Sequence, residues 1–153
     1  MAKSFILLLI LSRILLPVLV VIIIESISLL FGINDVPLPY YNYSHSFLRM
    51  MIIAGAIGPL TETIVFQYFM FVLFRKKMKT SYLCYILLSG LLFGIVHFQN
   101  ILRVVLVLIA GIFFAFGFLI YKKKYNTITA IGLIWAIHAA SNILTIVAHF
   151  VFK

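Results

Sequence analysis

Four side chains carry polar or acid–base chemistry where an apolar helix ordinarily holds none: Glu62, His97, His138 and Asn142. Glu62 stands in Pro59-Leu60-Thr61-Glu62-Thr63-Ile64-Val65-Phe66-Gln67, inside a long apolar run. An ionisable group at membrane depth is costly, so it points to a site with a partner. His97 follows Phe93 by four residues, and His138 and Asn142, also four apart, share one helix face. A carboxylate held away from bulk water, paired with a histidine, is equipped to bind and deprotonate one water. A second histidine and an amide then suit the oxyanion formed when a peptide carbonyl is hydrolysed. The competing chemistry is zinc, because Glu62, His97 and His138 match a catalytic zinc shell in ligand type. Against zinc stand the lack of an HExxH spacing and the need for ligands from three helices.

The elements that must position these groups follow from composition. The chain has 153 residues, 65% hydrophobic and 10% charged, more apolar surface than a soluble domain of this size could hide. The class is an integral membrane protein. Net charge is +9, with basic residues in short runs at segment ends. That pattern suits orientation in a membrane and contact with anionic lipid, and not nucleic acid. The single cysteine, Cys84, excludes an internal disulfide and a cysteine-rich metal site.

Cut at its polar punctuation, the sequence yields spans of roughly Ser4–Phe31, Phe47–Phe74, Ser81–Phe98, Ile101–Tyr121 and Thr127–Val151. The expected fold is all-α, a polytopic transmembrane bundle of about five helices forming one domain over 1–153. Residues 1–46 read as a retained first helix, too long for a signal-peptide core and without a small-residue cleavage site, followed by a tyrosine- and proline-containing interfacial loop. Lys3, the Arg75–Lys79 cluster and Lys122–Lys124 fall on one side, which places the N-terminus in the cytoplasm. Measured from the flanking cations along an ideal helix, Glu62 lies about 20 Å deep, His138 about 21 Å, and His97 and Asn142 about 27 Å. Three helices thus deliver polar groups into one layer. Gly90 with Gly94, and Gly111 with Ala115, are small-residue pairs that let helix backbones approach closely.

Other polar residues have plainer readings. Arg13 and Glu25 are near enough to an interface to snorkel or pair. Trp135 reads as packing, and His45 and His149 as interfacial. Ser141 lacks a base and acid at triad spacing and is not a nucleophile candidate.

Three motifs in order carry a resemblance. Phe93-Gly94-Ile95-Val96-His97 matches F-x-x-x-H, His138-Ala139-Ala140-Ser141-Asn142 matches H-x-x-x-N, and the Glu62 stretch occupies the place of E-E-x-x-x-R. Over about Ala54 to Val147 the chain resembles the CPBP family, the CAAX proteases and bacteriocin-processing (Abi) enzymes. The resemblance implies a four-helix core over 54–147 and a glutamic intramembrane endopeptidase with no cofactor. It implies that Glu62 and His97 activate water and that His138 and Asn142 stabilise the oxyanion, with Phe93 supporting. Two family positions differ: the second glutamate is Thr63 and the arginine is Gln67. Four apart on one helix, a Glu and an Arg there could pair, so losing both leaves no orphan charge. Thr63 and Gln67 are then expected as a neutral, hydrogen-bonding supporting pair. The implied substrate is a peptide or protein presented at the membrane, prenylated or bacteriocin- or pheromone-like, and the expected location a bacterial plasma membrane. The alternative is a non-catalytic relative acting in bacteriocin self-immunity or peptide binding.

Overall fold

The computed structural model describes residues 47–98 and 101–151. The expected first helix and loop, with Arg13, Glu25 and His45, lie outside the described residues, as does the side chain of His149. What is described is all helix. α1 spans Phe47–Lys77, α2 Tyr82–Val96, α3 Ile101–Lys124 and α4 Thr127–Val151. Together they form the four-helix part of the expected bundle. α1 and α3 run further into their basic ends than composition suggested. Lysine and arginine are good helix formers, so the charge run that ends an apolar span need not end its helix.

Among the described residues three helices are long and apolar enough to cross a membrane: α1, α3 and α4. The chain is an integral membrane protein. α2 differs from the span expected over Ser81–Phe98, because it stops after 15 residues. At about 1.5 Å per residue it is well short of a hydrocarbon core of about 30 Å. Its ending has a local cause. The ring Nδ1 of His97 lies 2.7 Å from the Phe93 carbonyl oxygen, taking the acceptor that the next helical N–H would use. The His97 N–H bonds instead to Gly94 O at 3.1 Å, a tighter turn, and His97 itself has left helical geometry at φ −96°, ψ 21°. His97 is thus presented at the end of a short helix.

α1 is irregular. It widens into π-helical turns at Ile53–Ile57, Thr63–Phe69 and Phe71–Lys77, with a normal α turn at Gly58–Glu62 between the first two. Such wide turns recur at functional sites. α1 closes where Lys79 adopts φ 54°, with Thr80 Oγ1 donating to Phe74 O at 2.9 Å. Ser81 Oγ then caps α2 by accepting from Cys84 N, and Asn126 Oδ1 caps α4 by accepting from Thr129 N.

α2 and α3 meet through glycine. A Cβ on Gly90 would sit 2.9 Å from Ile112 N, and one on Gly94 would sit 2.8 Å from Val104 O, so only glycine allows the two backbones this close. The interior is aromatic: Phe71 meets both Tyr85 and Phe118 edge-on, and Lys122 lies over the outer side of the Phe71 ring. That last contact puts the Lys122 run at the same end of the bundle as Arg75, whose guanidinium lies 3.8 Å over the Tyr82 ring. Apolar side chains such as Ile101, Phe98 and Ile128 point outward, as helices in lipid require.

Candidate active site

Glu62 sits at the last residue of the α turn Gly58–Glu62 between the first two wide turns, with Pro59 near its start. Its carboxylate faces two histidines at once. Oε1 is 3.5 Å from His97 Nε2 and Oε2 is 3.5 Å from His138 Nε2. The three side chains come from α1, the end of α2 and the middle of α4, so the convergence is tertiary. At 3.5 Å these contacts are longer than direct hydrogen bonds, which leaves the carboxylate oxygens of Glu62 with bonding capacity for a third group. Glu62 and His97 remain 19% and 18% exposed at the side chain, whereas His138 is 8% exposed. The site therefore has an accessible side, at Glu62 and His97, and a closed side at His138.

Ring orientation follows from the second nitrogen of each histidine. The Phe93 carbonyl can only accept, so His97 Nδ1 carries the proton and the lone pair of the neutral ring sits on Nε2, toward Glu62. His138 Nδ1 is buried and has no hydrogen-bond partner among the described residues. The tautomer with its proton on Nε2 avoids leaving a buried N–H unpaired, and gives His138 a donor directed at Glu62 Oε2.

Apolar walls fix both rings. Phe93 is nearly fully buried and meets His97 at a centroid distance of 4.6 Å and His138 at 5.7 Å. Phe114 of α3 lies beside Phe93, 4.7 Å from the His138 ring and tilted by 32°. Phe93 thus packs against both histidine rings. Phe114 went unnoticed in the sequence, where one phenylalanine among many gives no signal.

Asn142 is on the His138 face one turn on, and its Nδ2 donates to Ala54 O at 2.9 Å. That leaves one amide hydrogen for another acceptor. Thr63 and Gln67 are completely buried, and the side-chain polar atoms of both have no hydrogen-bond partner among the described residues. The hydrogen bonds expected of this pair are not formed, because both side chains point into the apolar interior. The backbone of the same segment is well served: Tyr85 OH donates to Gln67 O at 3.0 Å and Ser89 Oγ donates to Phe66 O. Trp135, expected as packing, also donates from Nε1 to Ala56 O at 2.9 Å. Among the described residues no group of three or more His, Cys, Asp or Glu has a geometry able to hold a metal ion.

Residues 44–152 match the family model described as type II CAAX prenyl endopeptidase Rce1-like. No curated protein and no solved structure matches.

Proposed function

Because this chain belongs to the Rce1-like family of type II CAAX prenyl endopeptidases, we propose that it is a glutamic intramembrane endopeptidase working through Glu62. The observation that carries the proposal is the Glu62 carboxylate held between His97 Nε2 and His138 Nε2, each at 3.5 Å. A water bound on the exposed side bonds to Glu62 Oε1 and to His97 Nε2. Glu62 takes its proton as the oxygen attacks the scissile carbonyl. His97 orients that water with its lone pair, since its own proton is committed to Phe93 O. As Glu62 is protonated its hold on His138 weakens, and the Nε2 donor of His138, on the buried side, turns from Oε2 to the developing oxyanion, where the low-dielectric surroundings strengthen the bond. The remaining hydrogen of the Asn142 amide is a second donor. Glu62 then returns the proton to the leaving amine.

The substrate that fits the family is a prenylated C-terminal peptide reaching the site from the bilayer, where the prenyl group partitions. The basic end formed by Arg75–Lys79 and Lys122–Lys124 faces the cytoplasm in this reading, and draws anionic lipid headgroups to that surface.

A second reading is a membrane protein that binds peptide without cutting it, and one observation favours it. Thr63 and Gln67 stand buried and unpartnered beside Glu62, so no charged group supports the carboxylate from within this stretch of α1. Purified protein in proteoliposomes, given a farnesylated peptide ending in a CAAX sequence, separates the two. Release of the C-terminal tripeptide, seen by mass spectrometry, is the expected result. Saturable binding of the intact peptide without release would replace the first reading with the second.

A further inference from the structure

The register of α1 just before Glu62 leaves a gap that α4 fills. In the first wide turn the Gly58 N–H bonds to Ile53 O, five residues back. One residue further, the same register requires Pro59 to donate to Ala54 O, and proline has no N–H. Ala54 is buried, so its carbonyl needs a donor from elsewhere. Asn142 Nδ2 supplies it at 2.9 Å. Two residues on in that turn, Ala56 O accepts from Trp135 Nε1, also at 2.9 Å. Trp135, His138 and Asn142 lie three and four residues apart, on one face of α4. The two donors therefore bracket the histidine that faces Glu62 Oε2.

We propose that Trp135 and Asn142 are positioning residues, a pair of donors that lock the proline-broken turn of α1 onto α4 and thereby set Glu62 against His138. The proposal rests on the reading of Glu62 and His138 as reacting groups. Its structural half, the repair of the Pro59 gap by Asn142, stands apart from that reading. A donor is needed at these places because packing alone does not fix register. An apolar side chain at either position would touch α1 equally well while leaving it free to slide or rotate. Bonds to two carbonyls of one turn remove both freedoms. Asn142 keeps an amide hydrogen for the oxyanion, but its bond to Ala54 O does not depend on substrate.

Pro59→Ala gives the test its leverage, since the substitution restores the missing backbone N–H and offers Ala54 O an intrahelical donor. Asn142→Ala is to be made alone and with Pro59→Ala, and Trp135→Phe alone, which keeps most of the ring and loses the N–H. Thermal unfolding in detergent and kcat and KM for peptide release are measured on each. The expected result is that Asn142→Ala lowers both the unfolding midpoint and kcat in the wild-type background. In the Pro59→Ala background it no longer lowers the midpoint, and its loss of kcat shrinks to what the oxyanion bond alone contributes. Trp135→Phe lowers kcat by about threefold to tenfold, the worth of one hydrogen bond, with KM unchanged. An Asn142→Ala chain that accumulates only beside Pro59→Ala supports the same conclusion. Equal losses from Asn142→Ala in both backgrounds, or wild-type kcat in Trp135→Phe, would overturn it. If the wild type releases no peptide, the protease reading fails, and the midpoints alone still decide whether Asn142 repairs the Pro59 gap.

Discussion

The contact between α2 and α3 and the contact between α1 and α4 are built on opposite principles. The first is a seam of small residues: Gly90, Gly94 and Gly111 bring two regular helices to backbone contact, held by fit. The second joins an irregular helix to a regular one by side chain–carbonyl bonds, Trp135 to Ala56 O and Asn142 to Ala54 O. α2 uses the same device on the next wide turn, through Tyr85 to Gln67 O and Ser89 to Phe66 O. Small residues set how close two helices come, because lipid provides no hydrophobic drive and contact must come from fit. Directed bonds to single carbonyls set rotation and register. Glu62 is held by directed bonds on both flanks, where its two oxygens must meet two different rings.

Each principle can be challenged by its own substitution. His97→Ala removes a reacting group and the ring that caps α2 but neither interface, so peptide release falls by about 10²- to 10⁴-fold while stability falls only by the worth of one hydrogen bond, about 1 kcal/mol. A matched loss of midpoint would make His97 structural. Gly94→Val acts on the seam, since its Cβ would meet Val104 O at 2.8 Å. It is expected to destabilise the protein by about 1–3 kcal/mol, read as a lower midpoint and reduced accumulation. A Gly94→Val chain of wild-type stability would show that the seam yields and that glycine is not required there.

Smaller effects are expected at Thr63 and Gln67. Both are buried on α1 with unpartnered polar atoms, so Thr63→Val with Gln67→Leu removes groups that contribute no hydrogen bond in this structure. The double substitution is expected to be neutral or stabilising, by about 1 kcal/mol, in thermal unfolding. Marked destabilisation would mean that the pair has a partner, such as a buried water, when the protein is in its membrane. Smallest of all is the effect of a chelator. With the water held by Glu62 and His97, dialysis against a strong zinc chelator leaves peptide release unchanged. Loss restored by added zinc would favour the competing reading of Glu62, His97 and His138 as ligands.

Much of the site was legible because polar residues are conspicuous in an apolar sequence. Glu62, His97 and His138 stood out by type and depth, and the structure brings these three together. The α4 span matched its expected bounds, since the lysines before it mark its start. Three things were hidden for physical reasons. The shortness of α2 comes from the His97 ring taking the role of a helix cap, which hydropathy does not register. The bond of Asn142 depends on which α1 carbonyl lacks a donor, and that depends on where wide turns fall. Pro59 was the available clue, because a proline inside a helix always orphans a carbonyl upstream. The silence of Thr63 and Gln67 depends on which way α1 is rotated, which two interfaces decide together.

The proposed mechanism turns on Glu62 as the base that activates water. The decisive experiment is Glu62→Gln in proteoliposomes, an exchange that keeps shape and removes the charge. Release of the C-terminal tripeptide from a farnesylated peptide is followed beside the wild type, with folding checked by the unfolding midpoint. The expected result is release reduced by about 10²-fold or more in a chain that still folds and still binds the peptide. Release at the wild-type rate by folded Glu62→Gln protein would contradict it.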